Sequence, residues 1–300
     1  MSEKSAAAAG RSAPVMHPWV WRDGGLVTAA QAPIAPGAGG LHYAVAVLEG
    51  IRVYAGRAFR LRAHSERLLR SAAHVGLRMS WSAEQLDAAV EAVIDANGML
   101  DGYIRPLAWR GDLELRLSTT EAAPTHVAVM ARPFPSRLAH DEPAGMALAT
   151  SRWARPPANC LPVSAKCSAS YLIGSLAHAE AVAAGYDDAL LLDSEGRVCE
   201  STGSNLFAVL DGTLVTPPPY PALAGITRAT VLELAAQRGI EVWERHIAPA
   251  ELSHADEVFL SGTALEIVPV TRIDSDVHRI GDITRQMVAD YRDLVVKESL

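Results

Sequence analysis

The sequence carries its internal lysine in the stretch Leu161-Pro162-Val163-Ser164-Ala165-Lys166-Cys167-Ser168-Ala169-Ser170-Tyr171-Leu172. The chain has 27 Lys and Arg residues in all, and its other two lysines, Lys4 and Lys297, lie in the terminal segments. An amine at its ordinary pKa of about 10.4 is a poor nucleophile, but burial can lower that value by roughly 3 to 5 units. A neutral amine can form a Schiff base with an aldehyde cofactor, which an arginine cannot do. A partly exposed lysine at the edge of the core is the structural alternative.

Composition restricts the class of protein and its partners. The 300 residues are 49% hydrophobic and 20% charged, with no apolar run long enough to cross a bilayer, so we expect a soluble globular protein and no membrane partner. A formal net charge of −7 opposes binding to a phosphate backbone, so no nucleic-acid partner is expected. Residues 1–12 lack the pattern of a secretory signal, which predicts a disordered tail and a cytoplasmic location.

Several catalytic signatures are missing from the sequence. The three cysteines form no CxxC pair and the ten histidines are scattered, so neither a disulfide framework nor a metal site is indicated. We find no GxGxxG after a strand, no GxxxxGK[ST], no HExxH and no GxSxG. These absences argue against a dehydrogenase, a P-loop enzyme, a zinc protease and a serine hydrolase.

The first half of the chain mixes hairpins and helices. Turn residues at 23–25 and 55–57 predict hairpins within residues 19–27 and 50–61, and Ser82 and Gly98 flank an amphipathic segment. We predict helices at 63–75 and 83–97 and strands at 103–109, 114–117 and 126–131. Prolines interrupt the pattern after residue 132. The organisation expected is a small α/β domain at 13–131, a linker at 132–145 and a large domain at 146–300.

The second half is rich in short strands. A helical pattern over residues 169–184 ends at Gly185, which suits a helix C-cap. Tight turns then predict a meander with strands at 188–192, 197–200, 205–209 and 213–215. Beyond the meander we predict helices at 227–238 and 282–296 and strands at 242–247 and 257–260.

Three further motifs are compatible with a phosphorylated aromatic cofactor. Glu200 ends a mostly apolar run, and a carboxylate there could pair with the protonated ring nitrogen of pyridoxal phosphate. Gly225-Ile226-Thr227 opens a predicted helix, whose free amides suit a phosphate. Ser261-Gly262-Thr263 could add amides and a hydroxyl from a second loop. Each motif alone is also common in purely structural roles, as a strand-end glutamate or a helix-capping threonine.

Taken together, these motifs resemble the branched-chain aminotransferase family. The resemblance runs from about residue 42 to the end and rests on five segments in the family's order, which are Tyr103-Ile104-Arg105-Pro106-Leu107, Ala165-Lys166, Glu200 with Asn205-Leu206-Phe207, Gly225-Ile226-Thr227-Arg228 and Ser261-Gly262-Thr263-Ala264.

The resemblance implies the fold type IV of pyridoxal-phosphate enzymes. That fold has a small α/β domain, a larger domain with a barrel-like β-sheet and flanking helices, the cofactor between the two, and usually a homodimer. The implied activity is ping-pong transfer of an amino group between an L-amino acid, branched-chain or similarly hydrophobic, and a 2-oxo acid such as 2-oxoglutarate.

The same resemblance assigns roles to individual residues. Lys166 resembles the lysine that carries the cofactor and moves the proton, Tyr171 the tyrosine at the ring hydroxyl, and Glu200 the partner of the ring nitrogen. Arg60 resembles the arginine that binds the phosphate. The remaining cofactor-binding positions are Gly203, Ser204, Asn205, Leu223, Gly225, Ile226, Thr227, Gly262 and Thr263. The substrate-binding positions are Tyr43, Leu48, Gly50, Tyr103, Arg105, Thr263 and Ala264.

The sequence departs from the family around the expected side-chain pocket. Leu48 stands where the family usually has Phe, and Ala44 where it has Gly, which puts a strictly branched-chain substrate in doubt. Ser170 and Ala224 also differ from the usual residues. Two other interpretations stay open: another fold type IV activity, such as a lyase, a D-amino-acid transaminase or an amine transaminase, and a noncatalytic binding protein that kept the scaffold.

Overall fold

A computed structural model of the chain describes residues 16–112, 114–117, 123–139 and 144–299. The tail expected at residues 1–12 lies outside the described residues. The strands form two sheets, one from each half of the chain. None of the helices in the described ranges is long and apolar enough to cross a membrane.

The first sheet is antiparallel and has two long helices packed on it. Its order is β2-β1-β7-β6-β4-β5, with β3 paired to β6. The elements are β1 (Trp19–Arg22), β2 (Gly25–Thr28), α1 (Gly39–His42), β3 (Ala46–Leu48), β4 (Ile51–Tyr54), β5 (Arg57–Ala58), α2 (Leu61–His74), α3 (Ala83–Asn97), β6 (Gly102–Arg110) and β7 (Thr125–Arg132).

Local chemistry accounts for the boundaries of α3, which agree with the predicted helix. The Ser82 hydroxyl accepts from the Gln85 amide at 3.3 Å, and the Gln85 side chain accepts from the Ser82 amide at 2.8 Å, so two amides at the helix start are satisfied. Gly98 ends the helix in the left-handed conformation, with φ of 58°. The apolar faces of α2 and α3 share one core with β4, β6 and β7.

The second sheet contains a closed ring of strands. Its elements are β8 (Met146–Arg155), α4 (Tyr171–Ala183), β9 (Asp188–Asp193), β10 (Val198–Ser201), β11 (Asn205–Leu210), β12 (Thr213–Thr216), α5 (Ile226–Gln237), β13 (Val242–Glu244), α6 (Pro249–Leu252), β14 (Glu257–Gly262), β15 (Glu266–Ile273), β16 (Asp276–Val277) and α7 (Asp282–Ser299).

Six of these strands close into a barrel in the order β8-β9-β10-β11-β14-β15, with β15 returning to β8. The two pairings that involve β8 are parallel and the other four are antiparallel. Helices α5 and α7 pack against each other and against β14, while α4 covers β8 and β9. The mixed α/β fold with a barrel and flanking helices is the fold that the resemblance implied.

Two barrel strands had no counterpart in the predictions. β15 contains Pro269, and a proline lacks the amide that a strand interior normally donates. β8 alternates buried and more exposed residues, with small and polar side chains in place of a β-branched run. β8 pairs with β9 and β15, which are both distant in sequence, whereas β15 pairs with β8 and also with its neighbours β14 and β16.

The strand predicted at residues 114–117 is wrong. Glu114 and Leu115 both have left-handed backbone angles, with φ of 51° and 61°, and form a turn. The division into domains stays a prediction. The first sheet ends with β7 at Arg132 and the second begins with β8 at Met146.

Candidate active site

A cavity of about 590 Å³ opens where the barrel faces the first sheet. It brings together residues from six separated parts of the chain. The lining residues are Arg67, Arg155, Ala165, Lys166, Ser170, Tyr171, Glu200, Thr202, Gly203, Ser204, Asn205, Leu223, Gly225, Ile226, Thr227, Ser261, Gly262 and Thr263.

The backbone of Lys166 is held between the two sheets. Its amide donates to the Ser71 hydroxyl at 3.0 Å, and its carbonyl accepts from the Leu48 amide at 3.0 Å. The next residue, Cys167, is buried and forms a β-bridge with Val47. Because these contacts come from the first sheet and its helix α2, the first sheet determines where the Lys166 side chain enters the cavity.

The Lys166 amine lies against a phenol inside the cavity. Its Nζ donates to the Tyr171 hydroxyl at 2.6 Å. A 3-10 turn at Ser168–Ser170 leads directly into α4, so Tyr171 starts that helix and its side chain reaches back to Lys166. The Lys166 side chain is half-buried. An amine that is close to a hydroxyl and accessible from a cavity can act as a nucleophile and as a proton carrier.

The Glu200 carboxylate lies in the same cavity and is buried. Its Oε1 is 2.9 Å from Arg155 Nε, and its Oε2 accepts from the Leu223 amide at 3.2 Å and from Asn205 Nδ2 at 3.4 Å. Burial raises the pKa of Glu200, while the positive charges of Arg155 and Lys166 act in the opposite direction. A carboxylate in this environment is suited to hold a cationic nitrogen.

The start of α5 and the end of β14 form another part of the cavity wall. Gly225 is the N-cap of the 12-residue helix α5, so the free amides at its start face the cavity together with the buried Thr227. Ser261 and Gly262 at the end of β14 line the same cavity, together with Thr263 in the turn that follows. A Cβ atom on Gly225 would overlap Asn205 Oδ1, so glycine permits this close approach. Amides and hydroxyls arranged in this way suit a phosphate.

Arg67 on α2 adds a guanidinium to the cavity wall. Its Nε and Nη2 donate to the two oxygens of Glu49 at 2.6 and 2.8 Å, and its Nη1 donates to the Ala224 carbonyl at 2.9 Å. Although burial raises the pKa of Glu49, Arg67 and His64 lower it to about 2. Burial also lowers the pKa of His64, whose Nδ1 lies 2.7 Å from Glu49. Glu49 therefore fixes Arg67 next to the start of α5.

The expectation that Arg60 binds a phosphate is contradicted by this geometry. Arg60 precedes α2 in the left-handed conformation, and its guanidinium pairs with Glu233 at 3.1 Å and Glu298 at 3.3 Å on the outer helices. It is not among the residues that line the cavity. The arginine that α2 contributes to the cavity is Arg67, which lies nearly two turns beyond Arg60 and shares a helix face with His64.

The expected substrate residues of the first sheet form a group beside the Lys166 segment. Arg105 Nη2 donates to the Tyr103 hydroxyl at 3.1 Å, and Arg105 Nε is buried without a hydrogen-bond partner among the described residues. A Cβ on Gly50 would overlap the Tyr103 hydroxyl oxygen, so glycine leaves room for the phenol. Leu48 is buried and contacts Lys166 through its amide. The cavity lining does not include Leu48, Gly50, Tyr103 or Arg105.

Tyr43 does not reach the cavity of its own chain. Its hydroxyl donates to the Leu115 carbonyl at 2.7 Å, in the turn after β6. Tyr43 was expected to face the substrate, and within one chain that expectation is not met. Ala264 follows Thr263 in its loop and is likewise absent from the lining residues.

Several cavity residues escaped the sequence analysis. Arg67 could have been found from the pair His64 and Arg67 on one face of an amphipathic helix. Arg155 carries no local signal, because it ends a strand that was not predicted. The other missed residues are Ala165, Ser170 and Thr202, while Ser261 belongs to a motif that the sequence analysis named.

Comparison with known proteins identifies the family and the relatives of this chain. The family described as amino-transferase class IV matches residues 46–273. The branched-chain-amino-acid aminotransferase of Escherichia coli K12 is 36% identical over 290 residues, covering 94% of each chain.

Two solved structures show the same fold. The branched-chain aminotransferase of Thermoproteus uzoniensis with norvaline has a TM-score of 0.89 at 40% identity, covering 94% of this chain and 96% of that one. The branched-chain amino acid aminotransferase of Thermobaculum terrenum, in its PLP-bound holo form, has a TM-score of 0.87 at 33% identity, covering 94% and 95%.

Proposed function

The chain belongs to the amino-transferase class IV family, and from this premise we infer that it is a pyridoxal-phosphate-dependent aminotransferase of fold type IV. We propose that it transfers amino groups between a branched-chain or similarly hydrophobic L-amino acid and a 2-oxo acid such as 2-oxoglutarate. The observation that carries the proposal is a single cavity that contains a reactive amine, a buried carboxylate and an amide-lined end.

The residues present fit pyridoxal phosphate by the chemistry of their donors. Lys166 Nζ would attach to the aldehyde carbon, and Glu200 would hold the ring nitrogen. The α5 amides, Thr227 and Arg67 would hold the phosphate, with further contacts from the loop that contains Thr263. When bound, the cofactor would act as an electron sink for the substrate α-carbon.

Lys166 would carry the proton transfer. Once the substrate amine has replaced Lys166 at the aldehyde carbon, the freed Nζ would take the proton from the substrate α-carbon and deliver it to that cofactor carbon, because the amine stays positioned in the cavity. The Tyr171 hydroxyl at 2.6 Å would orient Nζ through their hydrogen bond. Glu200 would keep a negative charge beside the ring nitrogen.

Arg105 is the residue that we propose for a second carboxylate on the substrate. Its cation is partly buried, and its Nε lacks a hydrogen-bond partner within the described part of the chain, so the guanidinium can donate to an anionic group. This fits glutamate and 2-oxoglutarate.

Leu48 would border the pocket for the hydrophobic side chain of the substrate. Because Leu is smaller than the Phe that is usual in the family, the pocket would admit larger substrates. Gly50 and Tyr103 would shape the same pocket.

We further propose that the protein is a homodimer in the cytoplasm. Tyr43 and Leu115 form an exposed contact away from the cavity of their own chain. Leu41, Leu115 and Leu117 are exposed apolar side chains in this region. Association through this surface would bury these side chains and place Tyr43 near the partner's cavity.

The proposed location in the cytoplasm is supported by the cysteines. All three are free, which fits a reducing compartment.

Absorption spectroscopy and peptide mapping test the cofactor assignment. We expect purified protein to be yellow, and borohydride reduction to attach a phosphopyridoxyl group to Lys166, which mass spectrometry of peptides would locate. Lys166→Ala should lose the visible band and the activity, while Lys297→Ala, at an exposed position on α7, should keep both. A colourless wild type that is active would disprove the proposal.

A panel of amino acids tests the substrate class. Each amino acid is mixed with holoenzyme, and the spectrum shows which ones convert the cofactor to its amine form. We expect leucine, isoleucine, valine and glutamate to react. Release of pyruvate or ammonia, or reaction with D-amino acids or simple amines alone, would instead identify a different fold type IV activity.

A further inference from the structure

Arg155 is a cavity residue for which the proposed reaction has no role so far. It is the last residue of β8, and its side chain is more than nine-tenths buried. Its Nε lies 2.9 Å from Glu200 Oε1, and its Nη2 donates to the Pro221 carbonyl at 3.3 Å. The guanidinium thus lies between Glu200 and the loop that leads to α5.

Burial of Glu200 opposes its ionised form, and a nearby cation favours that form. Burial raises its pKa, and the charged side chains that act on it are Arg155 and Lys166. Its neighbour on β10, Cys199, is buried, which raises the pKa of the thiol and keeps it neutral. The remaining contacts of Glu200 are the neutral donors Asn205 and the Leu223 amide.

Lys166 cannot serve as that permanent cation in the proposed function. Its amine is the group that we propose to react, so its charge changes during turnover. A guanidinium, in contrast, keeps its charge over the whole working pH range. Arg155 therefore remains as the constant positive charge beside Glu200.

We propose that Arg155 is a positioning residue that keeps the Glu200 carboxylate ionised and oriented toward the cofactor's ring nitrogen. This proposal rests on the proposed function. It predicts that loss of the Arg155 charge lets Glu200 take up a proton at a higher pH than in the wild type. A protonated Glu200 cannot form an ion pair with a protonated ring nitrogen, so the cofactor would bind more weakly as the pH falls.

Equilibrium binding of pyridoxal phosphate to apoenzyme tests the proposal without measuring activity. Arg155→Met should weaken binding by about tenfold near pH 6.5, which is the size expected for the loss of one modest charge interaction. The loss should be smaller near pH 9, because Glu200 is ionised there even without Arg155. Arg155→Lys retains a charge and should restore most of the affinity. Arg152→Met is the matched control, since Arg152 lies on the same strand but is largely exposed and pairs with Glu180.

A double-mutant cycle shows whether Arg155 acts through Glu200. Adding Arg155→Met to Glu200→Gln should change the affinity by less than about twofold, because the carboxylate that Arg155 holds is then missing. Thermal unfolding of each apoprotein identifies variants that fail to fold. If Arg155→Met is one of them, Arg155→Lys becomes the deciding variant and must keep the wild-type pH dependence.

Three results would overturn the proposal. They are wild-type affinity of Arg155→Met at both pH values, a loss of binding that is independent of pH, and additive effects of the Arg155 and Glu200 substitutions. Failure of the wild type itself to bind pyridoxal phosphate would overturn the proposed function instead. Wild-type binding together with an unaffected Arg155→Met would overturn only the role of Arg155.

Discussion

Glu49 is fully buried and still ionised, because two side chains of α2 surround its carboxylate. Arg67 donates two hydrogen bonds to it and His64 lies 2.7 Å away. Burial raises the pKa of Glu49, but Arg67 and His64 together lower it by more. One carboxylate thereby orients the arginine that faces the proposed phosphate position.

The depressed pKa of Glu49 predicts an acid-dependent loss of stability. Its contribution is fully present above the ordinary pKa of about 4.5 and is lost as the pH falls toward about 2. The wild type should therefore exceed Glu49→Gln in free energy of unfolding at neutral pH, and this difference should shrink by up to about 3 kcal/mol as the pH falls through that window. Urea denaturation at several pH values measures it. Glu66→Gln, on the exposed face of α2, is the control, and a pH-independent difference for Glu49→Gln would contradict the prediction.

Arg67 and Arg60 form a matched pair for the phosphate contact. Arg67→Met should weaken binding of pyridoxal phosphate by about tenfold to a hundredfold, because it removes a charged hydrogen-bond donor from the cavity. Arg60→Met should change the affinity by less than about twofold, since Arg60 pairs with Glu233 and Glu298 outside the cavity. Equilibrium dialysis measures both. Pyridoxal, which lacks the phosphate, should bind equally to the wild type and to Arg67→Met, and an equal loss for both ligands would indicate general damage to the site.

At the scale of elements, the start of α5 is joined to the barrel through β11. Asn205, the first residue of β11, donates to the Leu223 carbonyl at 2.8 Å and also contacts Glu200. Gly225 packs against the oxygen of the same amide. The strand that orients Glu200 therefore also orients the helix end that faces the phosphate position.

Gly225→Ala tests this junction. The new methyl group would overlap Asn205 Oδ1, so Asn205 must move and its contacts with Glu200 and Leu223 must change. We expect a loss of about 1 to 3 kcal/mol in the free energy of unfolding, together with weaker binding of pyridoxal phosphate. Gly25→Ala, which meets nothing within 4 Å, should leave both unchanged. Equal effects of the two substitutions in denaturation and binding assays would refute this account.

At the scale of the whole molecule, the two sheets meet at one carboxylate. Glu266 at the start of β15 is fully buried and accepts from Arg52 and Tyr54 of the first sheet at 3.0 and 2.6 Å. It also accepts from the Ser136 hydroxyl and the Arg137 amide, both at 2.7 Å, in the connecting segment. Because Glu266 follows the cavity loop closely in sequence, these contacts also fix that loop relative to the first sheet.

Glu266→Gln should destabilise the protein more than the loss of a partly exposed ion pair that also joins the two halves of the chain. The substitution leaves the buried Arg52 without a counter-charge, which we expect to lower the free energy of unfolding by about 3 to 5 kcal/mol. Glu298→Gln removes a partner of Arg60 that is partly exposed, and should lower it by less than about 1 kcal/mol. Urea denaturation compares the two variants. Similar losses would show that the buried carboxylate does not hold the two sheets together.

Most helices and many strands could be predicted because their signals are local. The capping residues around α3, the turn glycines of the hairpins and the alternation of the meander each involve only near neighbours. The missed strand β8 pairs with distant segments, β15 among them, and Pro269 masks the pattern of β15 itself. The closure of the barrel follows from those pairings, so local patterns could not show it.

The sequence by itself singled out Lys166, Glu200 and the two glycine-containing loops, because a lone internal lysine and turn motifs are visible without a fold. Only the tertiary structure decided that Arg67 and not Arg60 faces the cavity, that Arg155 accompanies Glu200, and that Tyr43 points away from its own site. The physical reason is that the reach of a charged side chain depends on helix phase and on the packing of distant segments, and neither is encoded in its immediate neighbours.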